Sequence, residues 1–410
     1  MRWRSLQFGH CLICFFFATR TILADDLVIG MSAAFRGPSK GLGNELYRGA
    51  MAYFEHVNQS GGIHGRKVVI RAYDDSYNPL PAIENTVRLV EQDNVFLLFG
   101  YVGTPTVTRV LPLTKKYSSE PILLFFPFTG AQPHRQPPYS EFVFNLRASY
   151  QQETAGLVEQ FLKIGRRRIA FFYQVDAYGR SGWDGVQRAL AKANEQIVAE
   201  ATYKRGTPFT ESLRTHVDIL RQANPDAVIC VGAYAACAAF VRDARDAGWD
   251  VPIANVSFVG SESLLGLLVR AGKEAGKDYT TNLLNSQVVP SYYGEELPAV
   301  REYRDLMDRY RPAPPAGVAE EGYQPLSHSY VSFEGFLNAK VLALALQRMG
   351  PDLNRALIKS TLESIHDLDV GIDVPVSFGP DKHQGLDKVY YTEAENGRFV
   401  TVRDWKRWSK

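Results

Sequence analysis

Small hydroxyl residues, glycines and tyrosines gather in a few short segments of this sequence, and their types suit holding a small anion. The first segment is Gly100-Tyr101-Val102-Gly103-Thr104-Pro105-Thr106. Gly103 lets the chain turn sharply, Thr104 is a good helix N-cap, and Pro105 fits the first helical position. Such a turn aims free amides and the Thr104 hydroxyl at one point, where a carboxylate can sit. A helix cap with no ligand is the reading of equal weight. The segment Phe126-Pro127-Phe128-Thr129-Gly130-Ala131 supplies a second small polar loop beside it.

Other side chains carry two readings each. Tyr178, between Asp176 and Gly179, and Tyr234, just past Gly232, sit at expected strand ends. Each is either a ligand contact or a half-buried packing residue. Tyr101 and Tyr150 flank the same region, and packing is the stronger reading for both. Arg147 is read as a hinge ion pair rather than an anion ligand. Phe258 forms either an apolar wall for a ligand tail or part of the core. Bond-breaking chemistry lacks its residues: there is no Gly-x-Ser-x-Gly elbow, no Gly-x-Gly-x-x-Gly after a first strand, and the 8 histidines are scattered. Neither a metal nor a cofactor is expected.

The elements that must position these residues follow from periodicity. After Asp25, short apolar runs alternate with longer helical patterns, the signature of strand-helix units around parallel sheets. Strands are expected at 27–33, 68–73, 95–99 and 122–126, with helices at 44–58, 81–92 and 105–117 between them. A Pro-rich stretch at 133–138 precedes a second series. Its strands fall at 169–173, 197–202, 227–231 and 253–256, and its helices at 151–162, 182–194, 209–222, 235–247 and 263–271. Helices at 298–310, 331–348 and 353–363 have no strands of their own and are expected to return to the first half. The tail, at 376–378, 388–391 and 399–402, reads as hairpin-like strands added to the second half. The expected fold class is α/β: two doubly wound lobes joined by three crossovers, near Leu146, Ser286 and Leu368. Lobe 1 takes 25–147 plus 286–367, and lobe 2 takes 148–285 plus 368–410. The stretch 311–326, rich in Pro, Ala and Gly, reads as a surface loop. Ligands of such sheets bind beyond the strand ends, which here face each other across a cleft.

Composition agrees with a globular chain of this kind. The 410 residues are 45% hydrophobic and 22% charged with 4 cysteines, which excludes disordered and disulfide-stapled classes. A formal net charge of +2 argues against a nucleic-acid partner. Residues 1–24 read as a secretory signal peptide: Arg2 and Arg4 precede the apolar run from Cys11 to Ala18, and Ala24 marks the cleavage site. Ile13 stands where a lipidated Cys14 would need a small residue. Cys230 and Cys237 remain after cleavage and read as packed free thiols.

Several stretches, in this order and spacing, resemble one family. They are Leu27-Val28-Ile29-Gly30 with Gly37-Pro38, the run from Asn58 to Lys67, Asp74-Asp75, the Gly100 to Thr106 loop, Ala177-Tyr178-Gly179 and Gly232-Ala233-Tyr234. Together they resemble the leucine/isoleucine/valine-binding proteins, the type I periplasmic solute-binding proteins of ABC importers. The resemblance implies a two-lobed protein, not an enzyme, that closes on a carboxylate-bearing small molecule in the periplasm and presents it to a membrane permease. It also implies a monomer by family default. A sensor of the same fold that signals to a membrane partner is the alternative.

By the same resemblance Thr104 binds the ligand carboxylate, with Phe128, Thr129 and Gly130 adding backbone and hydroxyl contacts. Tyr178 and Tyr234 contact the ligand from lobe 2. Leu42 stands where the family has a ring over the ligand side chain. Ser257 stands where amino-acid binders place the acid that pairs the ligand ammonium, and Glu262 is the nearest substitute. A buried ammonium without a carboxylate partner is costly, so this departure points away from an α-amino acid, toward a carboxylate ligand without the amine or one with another polar group.

Overall fold

The computed structural model describes residues 25–117, 119 and 122–410; the expected signal segment lies outside the described residues. The chain opens with β1 (Leu27–Ala33), α1 (Lys40–Gln59), β2 (Val68–Asp74), α2 (Pro79–Glu91), β3 (Leu98–Phe99), α3 (Thr104–Lys116), β4 (Leu124–Phe125) and β5 (Val143–Phe144). These strands form one parallel sheet in the order β2-β1-β3-β4-β5. Helices cover both faces of such a sheet, which is why β1 is apolar along most of its length and buried at all but Val28.

The second series runs through α4 (Tyr150–Lys163), β6 (Ile169–Gln174), α5 (Ala177–Ala191), β7 (Ala199–Tyr203), α6 (Arg214–Gln222), β8 (Ala227–Val231), α7 (Tyr234–Asp246), β9 (Ile253–Asn255), α8 (Ser261–Ala275) and β10 (Leu283–Gln287). It is followed by α9 (Pro298–Tyr310), α10 (Tyr330–Arg348), α11 (Ile358–Glu363), β11 (Tyr390–Glu395) and β12 (Arg398–Thr401). The second sheet has seven strands, ordered β12-β11-β10-β9-β8-β6-β7, parallel except that β11 runs antiparallel to both of its neighbours, β10 and β12. Helices α9 and α10 pack on α1 of the first lobe. Glycines make the α1–α10 approach possible: a Cβ on Gly49 would lie 1.7 Å from the Ser332 carbonyl oxygen, and one on Gly335 would lie 2.2 Å from that of Leu46.

The chain passes between the lobes after β5, after β10 and before β11. The first and third passages run side by side, with Asn145 N donating to His383 O at 2.7 Å and Gly385 N to Asn145 O at 2.8 Å. The third passage lies beyond the expected point near Leu368. Residues 368–382 stay with the first lobe because Phe378 stacks on Phe126 at 6.1 Å and meets Phe144 at 5.6 Å. The expected strand at 376–378 is accordingly a single bridge between Leu368 and Val376. The loop at 311–326 is tied down from its far side: Arg48 donates to the carbonyls of Pro312 and Leu326 at 2.7 and 2.6 Å. Cys230 and Cys237 are buried free thiols. No described helix is long and apolar enough to cross a membrane.

Candidate binding cleft

Each sheet reverses its strand order once, between β1 and β3 in the first and between β6 and β8 in the second. Loops leaving the strands at such a reversal splay apart and leave a crevice. The connections leaving these four strands lead to Leu42, Thr104, Tyr178 and Tyr234, so residues far apart in sequence come to the meeting of the two lobes.

The β3–α3 turn differs from the expected cap. Gly103 is the N-cap, with φ of 101°, and Thr104 is the first helical residue with no side-chain cap. Positive φ favours glycine, and a Cβ there would lie 2.0 Å from the Tyr77 ring. Freed from capping, Thr104 Oγ1 lies 2.7 Å from Thr129 Oγ1, and both residues are buried. The paired hydroxyls lie on adjacent loops because β3 and β4 are neighbours in the sheet. Gly130 follows, and a Cβ on it would lie 2.5 Å from Tyr150, whose amide donates to Gly130 O at 2.7 Å.

Five rings meet beside the two loops that carry this pair, with Tyr77 against Gly103 and Tyr150 against Gly130. Phe258 is the hub: its centroid lies 4.6 Å from that of Tyr178, 5.2 Å from Phe128, 5.8 Å from Tyr77 and 6.5 Å from Tyr150. Phe128 and Tyr77 belong to the first lobe, and Tyr150, Tyr178 and Phe258 to the second, so the cluster bridges the cleft. Tyr178 is helical rather than a loop residue, because Asp176 caps α5 by accepting from the Tyr178 amide at 2.9 Å. Burial pushes the Tyr77 and Tyr178 hydroxyls well above their ordinary range. Two further bonds cross the lobes: Gly41 N to the Tyr234 hydroxyl at 3.1 Å, and Gln174 Nε2 to the Tyr77 hydroxyl at 3.3 Å. Leu42 is buried beside this contact, 2.7 Å from the point a Cβ on Gly260 would take. Tyr101 is not brought to the cluster. Its hydroxyl pairs with Thr86 at 3.0 Å inside a separate core with Leu98 and Val107.

A charged group borders the rings. Arg147 Nη2 donates to Ser257 Oγ, and its guanidinium lies 4.6 Å from the centroid of Phe128. Arg147 is ion-paired at 3.5 Å with Glu153 from lobe 2 and at 3.4 Å with Glu334 from α10 of lobe 1. Burial lowers the Arg147 pKa, but Glu334 and Glu153 outweigh it and hold the group above its ordinary value. Burial raises Glu334 to about 7 against the pull of Arg147. Glu153 accepts from Ser257 N at 2.8 Å, Ser257 Oγ at 3.0 Å and Ser286 Oγ at 2.6 Å. The acid beside Ser257 is therefore Glu153. Glu262 bonds instead to the Tyr292 hydroxyl at 2.8 Å and the Tyr330 amide at 3.2 Å.

Sequence reasoning missed Tyr77, Glu153 and Glu334. A signal for both acids existed: each is a carboxylate on an otherwise apolar helical stripe, Glu153 with Tyr150 and Leu157, Glu334 amid Phe333, Phe336 and Leu337.

Two doubly wound lobes, linked by three passages and meeting at a buried cleft of hydroxyls and rings, define the type I periplasmic binding protein class. A family model described as periplasmic binding protein matches residues 26–398, and the chain belongs to that family. Leu/Ile/Val-binding protein homolog 3 of Brucella melitensis biotype 1 is 25% identical over 262 residues, which cover 62% of this chain and 69% of the relative. The Leu/Ile/Val-binding protein of Escherichia coli strain K12 is 27% identical over 259 residues, 61% of this chain and 69% of its own. The crystal structure of a possible leucine/isoleucine/valine-binding protein from Rhodopirellula baltica SH 1 superposes with a TM-score of 0.83 at 30% identity. That match covers 96% of this chain and 100% of the other.

Proposed function

We propose that this protein is an extracytoplasmic solute-binding protein. It captures a small carboxylate-bearing ligand, a branched-chain amino acid or a related organic acid, and delivers it through the periplasm to the permease of an ABC importer. The observation that carries the reading is the Thr104–Thr129 hydroxyl pair of lobe 1, 2.7 Å apart and buried, with Tyr150 of lobe 2 packed against the adjoining Gly130. Hydroxyls and helix-start amides bind a carboxylate without reacting with it. Because the two halves of the site belong to different lobes, a ligand touching both stabilises the closed arrangement by its differential affinity. The names of the relatives support the ligand class, and the bonds that cross between lobes support closure.

A thermal-shift panel of amino acids, aliphatic acids and aromatic acids tests capture, since a ligand bound only by the folded state raises the unfolding midpoint. The expected result is a saturable rise with at least one acid, recovery of that acid unchanged, and a more compact scattering profile on binding. No rise across the panel, or a chemically altered ligand, overturns the proposal. Loss of uptake of the identified ligand on deleting the gene tests delivery.

A further inference from the structure

Two side chains bordering the Thr104–Thr129 loops, Arg147 and Tyr150, carry buried polar atoms without a well-aligned hydrogen bond. Arg147 is 2% exposed, and its Nε and Nη1 make no hydrogen bond; the carboxylate nearest Nη1, that of Glu334 at 3.4 Å, pairs with it by charge alone. The Tyr150 hydroxyl is buried with no well-aligned hydrogen-bond partner, only looser polar contacts to the Thr129 side chain and the Gly130 backbone. It lies in the field of Arg147. The Arg147 guanidinium sits 5.9 Å from the Tyr150 ring centroid. An unmet buried donor is costly, and more so when charged, so such groups are kept where something else completes them.

From this arrangement we infer that Arg147 and Tyr150 read the ligand carboxylate together with Thr104 and Thr129. We further infer that the ligand is an apolar monocarboxylate without an α-ammonium, a class that includes 2-oxo acids. This rests on the capture reading above and narrows its ligand.

The charges exclude the ammonium. An ammonium at this place meets the Arg147 cation. Glu153 has no oxygen to spare for it, since the three donors from Ser257 and Ser286 and the ion pair to Arg147 already engage that carboxylate. Glu334 has the Arg147 guanidinium 3.4 Å away, so an ammonium drawn to that carboxylate meets the same cation. A desolvated cation set against Arg147, with no carboxylate to itself, is strongly disfavoured. A carboxylate, by contrast, finds the Arg147 Nε donor, the Nη1 donor that Glu334 engages by charge alone, the Tyr150 hydroxyl and the threonine pair. The rest of the wall, Phe128, Tyr178, Phe258 and Tyr77, is aromatic and suits an apolar tail.

The test is calorimetric titration of the protein with leucine, 4-methyl-2-oxopentanoate and 4-methylpentanoate, three compounds that share one tail. It is run on the wild type, Tyr150→Phe and Arg147→Lys. Both acids lacking the ammonium are expected to bind at least tenfold more tightly than leucine. Tyr150→Phe is expected to weaken 4-methyl-2-oxopentanoate about tenfold with little change in the unfolding midpoint, because in the unliganded protein the lost hydroxyl makes only loose contacts to Thr129 and Gly130. Arg147→Lys keeps the charge but loses the fork of donors and is expected to weaken both acids further; if it does not fold, Tyr150→Phe carries the test. Tighter binding of leucine than of either acid, or an unaltered affinity in Tyr150→Phe, overturns the inference. Failure of all three compounds also overturns it, whereas capture itself falls only if the whole thermal-shift panel fails.

Discussion

The backbone amide of Gly41, in the first turn of α1, donates to the hydroxyl of Tyr234, the first residue of α7, across 3.1 Å. One partner belongs to each lobe, so on the proposed closure the bond exists only in the closed form. Tyr234→Phe removes the acceptor and leaves the Gly41 amide unpaired in the closed form, while in an open form water reaches it. A neutral hydrogen bond of this kind contributes about 0.5–1.5 kcal/mol. The expected outcome is a several-fold weaker ligand affinity and a larger radius of gyration at subsaturating ligand, with little change in the denaturation midpoint of the unliganded protein. Equal affinity in the two proteins would show that this contact does not contribute to closure.

Thr104→Ala tests the head-group loop. Thr104 does not cap α3, so its removal leaves the helix start intact, and the cost falls on the ligand. A charge-assisted bond from Thr104 to a carboxylate is worth about 1.5–3 kcal/mol, and that loss is expected for the best acid found by screening. Thr129→Ala is expected to cost a similar amount. The double variant should lose less than the sum, because the hydroxyls already touch at 2.7 Å. Full additivity in isothermal titration would mean that the two threonines act separately.

Local periodicity explains how much of this was legible. Ile169–Gln174 and Ala227–Val231 are apolar along their length because both faces of a parallel sheet are covered, and a run of that kind reads as a buried strand without further information. Tertiary partnerships do not read that way. Thr104 has the composition of a cap, yet the positive φ of Gly103 moves the cap one residue back and turns the hydroxyl toward Thr129. Phe378 alternates like a strand residue, yet its ring fills the first lobe's core. The Arg147 cluster joins residues from α4, α10 and the β9–α8 segment; no spacing rule links positions 147, 153, 257 and 334. Arg147 was readable as a hinge cation, but its two partners were visible only as isolated acids on apolar helix faces.

Gly49 offers a test in which two effects oppose each other. Alanine is favoured over glycine in a helix by about 1 kcal/mol, so Gly49→Ala should stabilise α1 taken alone. In the protein the new methyl would lie 1.7 Å from the Ser332 backbone oxygen, which cannot rotate away as a side chain would. Helices α1 and α10 would have to separate, and overpacking of this kind costs about 1–3 kcal/mol or more. The net expectation in urea denaturation is a loss of stability. A gain would mean that the two helices have slack, and it would weaken the case for a tight first lobe.

Glu334 sets a pH dependence whose sign can be worked out. Burial raises its carboxyl from an ordinary 4.5 to about 7, with Arg147 opposing and Glu153 adding to the rise. The folded protein therefore holds this proton more tightly than the unfolded chain does. Stability from this group is fully present below about pH 4.5 and declines as pH rises to about 7, by a total on the order of 3 kcal/mol. Other groups titrate in overlapping ranges: Asp75 and Glu262, also raised to about 7, act in the same direction, while His134, lowered to about 3, costs stability as pH falls below 6.5. The measurement that isolates Glu334 is the difference between wild type and Glu334→Gln, followed by chemical denaturation from pH 4.5 to 7.5. The amide keeps the shape and does not titrate, so the wild type should lose stability relative to the variant as pH rises through this window. A difference that stays flat would place the proton elsewhere. It would mean that Glu334 is ionised in the folded protein throughout, bound to Arg147 as a fixed ion pair joining lobe 1 to the hinge.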